Sequence, residues 1–583
     1  MSDVGFDEVF DFVVVGSGGG SMSSALFMRS VGKTVVILEK APKIGGTTSR
    51  SGGVMWIPNN RFMKEEGVED SYENSMLYME ATAGQSIDAP GTSHEKRSAY
   101  VTEGAKMVDF LLEQGIKLRR CPWWPDYYDE RPGGSVPGRT IIADLFDTKE
   151  LGEWREKLEP NFMGALPAYH YEAFELGLAK HSLKGKLQMF KVGLRMAAAK
   201  IRGRHWTTAG GALQGRMLQA SLKAGVDVRP GNGVKSFVTD NSGAVTGVVV
   251  EKKGKPWRIG ARQGVLVNAG GFSHNQEMRD KYQPGTSAKW TAATGGNTGE
   301  MIQEMMKIGA AIGQMEEMVG NQMSIAPDKE NNGDGVALME LVGSQMSFTK
   351  PHSIVVDQSG VRYMNEGGSY MAFCKNMLER DKTVSAVPSW WIVSQQYLDN
   401  YMFAGAMPGT KPRQDWIDSG FLKRADTIEE LAAQLMMDPA VLRRTVDTFN
   451  DSARNGVDSE FGRGNRAYDN WLGNFHRKDG SPTLGVIDKG PFYAAPVVPG
   501  DVGTYGGVVT DANARVLRED GSPIEGLYAT GISTASVMGR IYPGAGSSVG
   551  PSFVFGYIAA KHAAHAGNYA GAGVTAAETL AQG

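Results

Sequence analysis

The sequence predicts an α/β protein with a two-dinucleotide-binding, Rossmann-like fold into which an α+β capping domain is inserted. The chain opens with a strand, a glycine-rich turn, a helix and a second strand that ends in an acid. Two later apolar strands also end in glycines, which is typical of strands that return to one sheet beside a ligand. A long region with its own helices and strands lies between these strands, where a cap over the sheet is expected.

The first forty residues carry a dinucleotide fingerprint. Residues 12–15 form an apolar run expected of a buried parallel strand, and a helix is expected over 21–31. A second strand over 34–38 ends in Glu39, whose carboxylate can accept hydrogen bonds from ribose hydroxyls. The turn that would approach a pyrophosphate consists of Gly16, Gly18, Gly19, Gly20 and Ser21.

A second glycine-rich loop follows the acid. Its candidate cofactor-binding residues are Lys40, Gly45, Gly46, Thr47, Thr48, Ser51, Gly52 and Gly53. The alternative is an ordinary glycine-rich turn in an unrelated βαβ fold. The loop resembles the segment that FAD enzymes of the fumarate reductase and ketosteroid dehydrogenase superfamily lay along the flavin, so FAD is the expected cofactor. Residues 45–53 contain no histidine, where some relatives attach flavin covalently, so noncovalent binding is expected.

Composition excludes several function classes. The formal net charge of −3 argues against a nucleic-acid binder. The two cysteines, Cys121 and Cys374, lie far apart and suggest no disulfide framework, which fits a reducing compartment. The sequence has neither a signal-peptide pattern nor an apolar run of the ~20 residues that span a bilayer, so a cytoplasmic location is expected. No metal site is expected, and His562 and His565 are interpreted as helix surface.

The cofactor domain is expected in two parts, 1–275 and 491–583, with the catalytic and substrate-capping domain over 276–490. In the cap, helices are expected over 298–312 and 428–453, and a strand over 353–357. The returning segments of the cofactor domain add the candidate cofactor-binding residues Val234, Ala269, Gly270, Gly271, Gly531, Ser547 and Val549.

Residues 176–206 are basic and apolar together. They contain eight Lys or Arg and no Asp or Glu, and apolar residues are interleaved with the charges. Such a segment can lie in an anionic membrane surface, which would place the protein at the inner face of the cell membrane. It can equally be a solvated helix packed on the domain, and the sequence leaves both interpretations open.

The whole chain resembles the 3-ketosteroid Δ1-dehydrogenases. The motifs GSGGGS, EKAPKIGGTTSRSGGVMWIPNN, RYMNEGGSYM and MGRIYPGAGSSVGPSFVFGY carry the resemblance from end to end. It points to a long form that acts on sterol-type enones and associates with a membrane. Residues 160–206 are an insertion relative to shorter members, and Ser21 stands where many fingerprints have a third glycine.

The resemblance implies that a 4-en-3-one steroid becomes a 1,4-dien-3-one. A hydride passes from C1 to flavin N5, and a proton passes from C2 to a tyrosine base matched by Tyr370. The Tyr542 hydroxyl and the backbone N–H of Gly546 match the pair that polarises the C3 carbonyl. Tyr127, with Tyr128 as the less favoured choice, matches a second tyrosine that assists the base. The external electron acceptor is a quinone or another carrier.

Three rival functions remain open. A fumarate-reductase-like enoate reductase would carry arginine in place of Tyr370 and a histidine before Gly506, but residues 501–505 contain no histidine. A 3-ketosteroid Δ4-(5α)-dehydrogenase differs only in how the substrate lies over the flavin. A flavin electron-relay protein without steroid turnover would not need the tyrosine constellation.

Overall fold

The structure is a computed structural model that describes residues 5–326, 341–343, 345–478 and 480–566. Its central sheet has six strands, with four parallel pairings and one antiparallel pairing at the edge. In spatial order the strands are Arg515–Leu517, Pro523–Ala529, Val265–Val267, Phe12–Val15, Val35–Leu38 and Asp227–Arg229. The predicted α/β class is confirmed, and both returning strands join this sheet.

The central sheet is covered on both faces. Phe12 and Val14 belong to the core shared with the helices, whereas Val13 and Val15 belong to the core shared with a second sheet. The helices are Gly19–Ser30, Ala209–Lys223 and Val549–Ala563, and the second sheet contains Glu8–Phe10, Lys255–Ala261, Val245–Lys252 and Val234–Thr239. Burial on both faces explains why the strands are uninterrupted apolar runs.

The capping region is built around its own sheet. The strands, in spatial order, are Leu341–Gly343, Met318–Ile325, Phe492–Thr504, Ser389–Ser394 and Ser353–Val356, with Lys423–Ala425 also paired to Phe492–Thr504. The long strand Phe492–Thr504 pairs with the cap strands on both of its sides. Hydrogen bonding therefore groups it with the cap, although the predicted boundary precedes it.

The helices of the cap are shorter than their patterns suggest. The helix expected over 298–312 is Glu300–Lys307, and the one expected over 428–453 is two helices, Ile428–Gln434 and Pro439–Asn455. The break has a local cause, because Asp438 caps a new helix by accepting from the Ala440 N–H at 2.8 Å and Pro439 occupies its first position.

The remaining elements connect these layers. The other α-helices are Gly46–Arg50, Arg61–Glu65, Tyr72–Ala81, His94–Glu113, His170–Gly177, Leu183–Ile201, Gln276–Tyr282, Gln345–Phe348, Tyr370–Asp381, Gln395–Asn400, Gln414–Asp418 and Ala467–Leu472. The other strands are Met55–Trp56, Leu118–Arg120, Thr140–Ala143, Phe146–Asp147, Trp206–Thr207, Ile312–Gly313 and Gly507–Val508. Short 3-10 helices cover Ala83–Gln85, Thr148–Lys157, Ala288–Trp290 and Gly531–Ser533.

The insertion folds as a pair of helices, His170–Gly177 and Leu183–Ile201. Arg195 pairs with Glu172 at 2.7 Å and holds the two helices together. Only Gly185 and Val192 of the longer helix are buried, so most of its side chains face outward. Across the described residues, no helix combines the length and the apolar content needed to cross a membrane.

Candidate active site

A cavity of about 680 Å³ opens at the carboxyl ends of the central parallel strands. This edge of an open α/β sheet is where dinucleotides bind. Thirteen of the predicted cofactor-binding residues line it: Gly16, Gly18, Glu39, Lys40, Gly46, Thr47, Thr48, Ser51, Val234, Ala269, Gly270, Gly531 and Val549. The structure thus brings the two glycine-rich loops and the returning strands to one surface.

Glu39 lies in the wall of the cavity. Its carboxylate accepts from the Ser17 hydroxyl at 2.6 Å and from the Ala41 N–H at 2.8 Å. Ser17 in turn accepts from the Gly45 N–H at 2.8 Å, so the acid ties the two glycine-rich loops together. Burial raises the pKa of Glu39, and the hydrogen bonds from its neighbours oppose that shift.

The other eight predicted cofactor-binding residues lie behind the cavity wall. They are Gly19, Gly20, Ser21, Gly45, Gly52, Gly53, Gly271 and Ser547. Several are places of close packing: a Cβ on Gly19 would lie 1.9 Å from the Phe553 ring, and one on Gly20 would lie 2.3 Å from the Ser552 carbonyl oxygen. The structure therefore gives Gly19 and Gly20 a role in packing the helix Gly19–Ser30 against the helix Val549–Ala563 rather than a place on the cavity surface.

Asn268 holds the first turn in place, and the sequence reasoning missed it. Its side-chain oxygen accepts from the Ser21 N–H at 3.2 Å. A Cβ on Gly18 would lie 2.5 Å from that same oxygen, so residue 18 must be very small. The only feature of the sequence that could have indicated Asn268 is its position, directly after the strand Val265–Val267.

A third loop, residues 294–297, also lines the cavity without having been predicted. The Asn297 side-chain amide donates to the Thr47 hydroxyl at 3.1 Å, and its oxygen accepts from the Gly271 N–H at 3.1 Å. The glycine-rich run TGGNTG was the feature of the sequence that could have indicated this loop. This loop belongs to the capping region, so the cap closes one side of the cavity.

Tyr127, Tyr370 and Tyr542 form a buried cluster. The ring centroids of Tyr370 and Tyr542 are 5.0 Å apart, and Tyr127 lies 5.4 Å from Tyr370 and 5.9 Å from Tyr542. Tyr370 is the first residue of the helix Tyr370–Asp381, while the other two lie in loops. The Tyr127 N–H donates to the Pro543 carbonyl at 2.8 Å, which joins the two loops directly.

Gly546 lies in a tight loop next to Tyr542. Its φ of 98° and the Val54 carbonyl, 2.4 Å from where a Cβ would stand, restrict the position to glycine. The Tyr542 hydroxyl donates to the Ser548 hydroxyl at 3.4 Å, and the backbone N–H groups of Gly546 and Ser548 partly offset the rise in its pKa. The predicted pair of donors is therefore brought together.

Tyr468 joins the cluster, and no sequence motif pointed to it. Its ring stacks on Tyr127 at 4.1 Å, the closest ring contact among these tyrosines. Asp129 holds it there by accepting from the Tyr468 N–H at 3.0 Å. The alternative residue, Tyr128, faces elsewhere, with Arg131 at 4.7 Å and Arg466 at 5.5 Å from its ring centroid.

The cluster is nearly free of solvent exposure. Burial raises the pKa of Tyr127, Tyr370 and Tyr542, because the charged phenolate loses its hydration. Two features oppose this effect: the positive end of the helix Tyr370–Asp381 at Tyr370, and the hydrogen bonds that Tyr542 receives. The arrangement can hold a carbonyl oxygen and move a proton without admitting water.

The cluster adjoins the cofactor cavity. Ser548 lines the cavity and also accepts from Tyr542, so the tyrosines stand beside the part of the cavity that Ser548 lines. Within the part of the chain that the structure describes, no group of three or more His, Cys, Asp or Glu side chains could hold a metal ion. The site thus combines a cavity lined by glycine-rich loops with buried tyrosine hydroxyls that can act as acids or bases.

Comparisons with known proteins agree with this geometry. The family described as FAD binding domain matches residues 11–549. A 3-oxosteroid 1-dehydrogenase of Mycobacterium tuberculosis is 38% identical over 572 residues, covering 95% of this chain and 98% of that protein. A 4-oxocyclohex-2-ene-1-carboxylate 5-dehydrogenase of Sinomonas cyclohexanicum is 32% identical over 95% of this chain and 93% of that protein.

A solved structure is similar along its whole length. The crystal structure of 3-ketosteroid delta1-dehydrogenase from Sterolibacterium denitrificans, in complex with 1,4-androstadiene-3,17-dione, matches with a TM-score of 0.88 and 35% identity. The match covers 96% of this chain and 99% of that chain.

Proposed function

The chain belongs to the FAD-binding family that includes the 3-oxosteroid 1-dehydrogenases, and we propose that it dehydrogenates 3-ketosteroids between C1 and C2. A 4-en-3-one substrate then becomes a 1,4-dien-3-one. The observation that carries the proposal is the buried cluster of Tyr127, Tyr370 and Tyr542 beside the cofactor cavity. A base and two carbonyl donors are the parts that α,β-dehydrogenation of a ketone requires.

FAD fits the cavity. Glu39 would hold the adenosine ribose, and the turn at Gly16 and Gly18, which leads into the helix Gly19–Ser30, would meet the pyrophosphate. The flavin ring would then lie at the Ser548 end, next to the tyrosines. When bound, FAD supplies the two-electron acceptor for the hydrogen that leaves C1.

We infer that FAD is held without a covalent bond. No histidine is among the described residues that line the cavity. Acid precipitation should therefore release the yellow colour into the supernatant, and colour that stays in the pellet would contradict this.

The Tyr542 hydroxyl and the Gly546 N–H would hold the C3 carbonyl oxygen of the steroid. Loss of a proton from C2 places negative charge on that oxygen, and both donors then strengthen their hydrogen bonds. The donors act without reorganisation, because the Gly546 loop is fixed by the Trp56 N–H and the Gly550 N–H, which donate to the Gly546 carbonyl at 3.3 and 2.8 Å. They are therefore positioned before the substrate arrives.

Tyr370 would take the proton from C2. A tyrosine with a reference pKa of about 10 needs help to act as a base. Tyr127 packs against Tyr370 and Tyr468 stacks on Tyr127, so the Tyr127 hydroxyl would assist the base from inside the cluster. Burial of the cluster keeps water from competing for the enolate.

The surroundings favour a neutral substrate. Within the described residues, the ring contacts of the three tyrosines are to one another, Tyr468 and Tyr505. The nearby buried Arg139 is bound to Asp70 at 2.8 Å and to Asp126, so it offers no clamp for a carboxylate. This argues against an enoate reductase, while a purely electron-relaying protein would not require the base.

The test is a product analysis. The purified yellow protein is incubated with a 4-en-3-one steroid and an artificial electron acceptor, and the product is identified by mass and ultraviolet spectrum. We expect a 1,4-dien-3-one two hydrogens lighter. A product desaturated at C4–C5 would indicate the Δ4 reaction, and turnover of a 4-oxocyclohexene carboxylate but of no steroid would overturn the steroid assignment.

We propose further that the helix Leu183–Ile201 contacts an anionic membrane surface, which suits a poorly soluble substrate and passage of electrons to a quinone or another carrier. Its exposed apolar side chains are Leu183, Leu187, Met189, Phe190, Leu194, Met196 and Ile201. They share the helix with lysines and Arg195 and with no acidic residue.

Cosedimentation with vesicles of phosphatidylserine and phosphatidylcholine tests the membrane contact. The wild type should bind and be released by salt, and the double variant Leu187→Asp/Phe190→Asp should remain in solution. The control Leu77→Asp changes an exposed leucine on another helix and should bind as wild type. Equal binding of the double variant would contradict the membrane contact.

A further inference from the structure

A lysine lies buried behind the wall of the cofactor cavity. Lys96, near the start of the helix His94–Glu113, is 2% exposed. Its ammonium donates to the Thr510 hydroxyl at 2.7 Å and stands 5.2 Å from the centroid of the Phe555 ring. Among the described residues, no carboxylate forms an ion pair with it. A buried lysine without an ion pair costs folding free energy, so its position needs a functional explanation.

A second, small cavity lies between Lys96 and the wall of the cofactor cavity. It measures about 20 Å³, which is space for about one water molecule. Lys96 and Tyr505 form part of its wall, and Gly531, Ile532 and Ser548 line both this cavity and the cofactor cavity. One layer of residues thus separates the ammonium from the cofactor.

The reaction end of the cofactor lies on the other side of that layer. Ser548 accepts the hydrogen bond of Tyr542, and Tyr505 packs on Tyr542 with ring centroids 5.8 Å apart. Lys96 therefore stands behind the part of the cavity assigned to the flavin ring. This step rests on the FAD orientation given under the proposed function.

We propose that Lys96 takes up a proton when the bound flavin is reduced and releases it on reoxidation, so that it raises the reduction potential of the flavin around neutral pH. Uptake of two electrons and one proton adds one negative charge to the flavin ring. An ammonium behind the ring in a poorly polarisable interior stabilises that charge. In balance, the flavin gains two electrons and a proton, and the Lys96 amine gains a second proton from solvent.

Lys96 is suited to change its charge in this range. Burial lowers its pKa to about 7, and Asp511 opposes that effect. Its other neighbours contribute no full charge: Thr510 and the Tyr505 hydroxyl from the strand region, and Phe555 from the helix Val549–Ala563. Negative charge on the reduced flavin would raise the pKa of Lys96 back toward its usual value, so protonation follows reduction.

The experiment measures the flavin midpoint potential of the FAD-loaded protein against pH, using dithionite and reference dyes. For the wild type, the slope should correspond to one proton per two electrons below about pH 7 and should double to two protons between that pH and the higher pKa that Lys96 has beside the reduced flavin. Lys96→Met should show the one-proton slope throughout. Lys96→Arg, which stays charged, should show the same single slope at a higher potential than Lys96→Met at every pH.

Lys561→Met is the matched control. This lysine lies on the adjoining helix Val549–Ala563, is 44% exposed in its side chain and pairs with Glu103 at 2.9 Å. It removes the same charge from the surface and should reproduce the wild-type profile. If Lys96→Met also reproduced that profile, or if Lys561→Met shifted it equally, the proposal would be overturned.

A wild-type measurement guards against a Lys96 variant that fails to fold. Anaerobic reduction in weakly buffered dye solution at pH 8 should consume two protons per flavin once the protons that dithionite releases on oxidation, measured in a protein-free titration, are subtracted. Consumption of one would contradict the proposal. Both measurements use dithionite, so they are independent of steroid turnover. A protein that fails to desaturate steroids can still confirm or refute the role of Lys96.

Discussion

The cofactor cavity takes its shape from main chain and glycines, whereas the tyrosine cluster takes its chemistry from hydroxyls carried by four distant segments. The cavity is bounded by loops whose small residues permit close approach, as at Gly18 against Asn268. The cluster joins Tyr127, Tyr370 and Tyr542 with Tyr468 through ring stacking and burial. We propose that the first region binds the cofactor through its shape and that the second transfers the proton.

This difference predicts how each region fails. Changes in the cluster should lower turnover while FAD stays bound, because the hydroxyls contribute little to the cavity wall. Changes in the cavity should weaken FAD binding while the loaded protein still turns over. Three substitutions separate the two regions and a fourth tests how the insertion is packed, and they are taken in order of expected effect.

Tyr370→Phe should reduce turnover by about 10³-fold, because the C2 proton loses its acceptor. FAD content, measured by absorbance, should be unchanged. Tyr363→Phe is the control: this tyrosine lies seven positions earlier, and its hydroxyl bonds Ser389 at 2.6 Å outside the cluster. Turnover of Tyr370→Phe within a fewfold of that control would remove Tyr370 from the role of base.

Tyr542→Phe should reduce turnover by about 10²-fold, since one of two donors to the carbonyl oxygen is lost. Steady-state kinetics should show the loss chiefly in kcat. Tyr528→Phe serves as the control, because its hydroxyl bonds His562 at 2.9 Å and its ring makes no contact with Tyr542. An unchanged kcat in Tyr542→Phe would leave Gly546 as the sole donor and refute the paired arrangement.

The pH dependence of stability tests how His170, in the insertion, packs against the cofactor domain. Burial lowers its pKa to about 4, below the usual value of 6.5, so it is neutral in the folded state. The contribution of His170 to the free energy of unfolding should be fully present above pH 6.5 and should fall as the pH drops toward 4. The expected loss is about 2 kcal/mol between pH 6.5 and 5.

Urea unfolding followed by tryptophan fluorescence checks this pH dependence. His170→Gln should lose that part of it, and His94→Gln, at an exposed histidine, should keep it. Parallel pH profiles for the wild type and His170→Gln would show that His170 is protonated in the folded state as readily as in the unfolded chain.

Gly18→Ala should weaken FAD binding by about tenfold, or about 1.4 kcal/mol. The added Cβ would meet the Asn268 oxygen at 2.5 Å, and that oxygen is held by Ser21. Fluorescence titration of the apoprotein measures the affinity. Gly193→Ala, where nothing lies within 4 Å of the added Cβ, is the control and should bind FAD as wild type. Equal affinities would show that the turn can relax.

Sequence reasoning succeeded best where structure is local. The strands beginning at Phe12 and Val35 and the helix between them follow from the apolar runs and the glycine turn. It did less well where packing decides the ends of elements, as in the helix that stops at Lys307. It missed Tyr468 altogether, because nothing in RAYDNW distinguishes a tyrosine that stacks on Tyr127 from an ordinary core aromatic.

The sequence by itself determined the α/β class, FAD as the cofactor, and the resemblance that singled out Tyr127, Tyr370 and Tyr542. These follow from short-range patterns: apolar period, glycine spacing and motifs that retain their order along the chain. Only the tertiary structure decided which glycines face the cavity, that Tyr468 completes the cluster, and that Lys96 lies behind the cofactor wall. Burial and contacts between residues hundreds of positions apart set these features, and no local pattern encodes them.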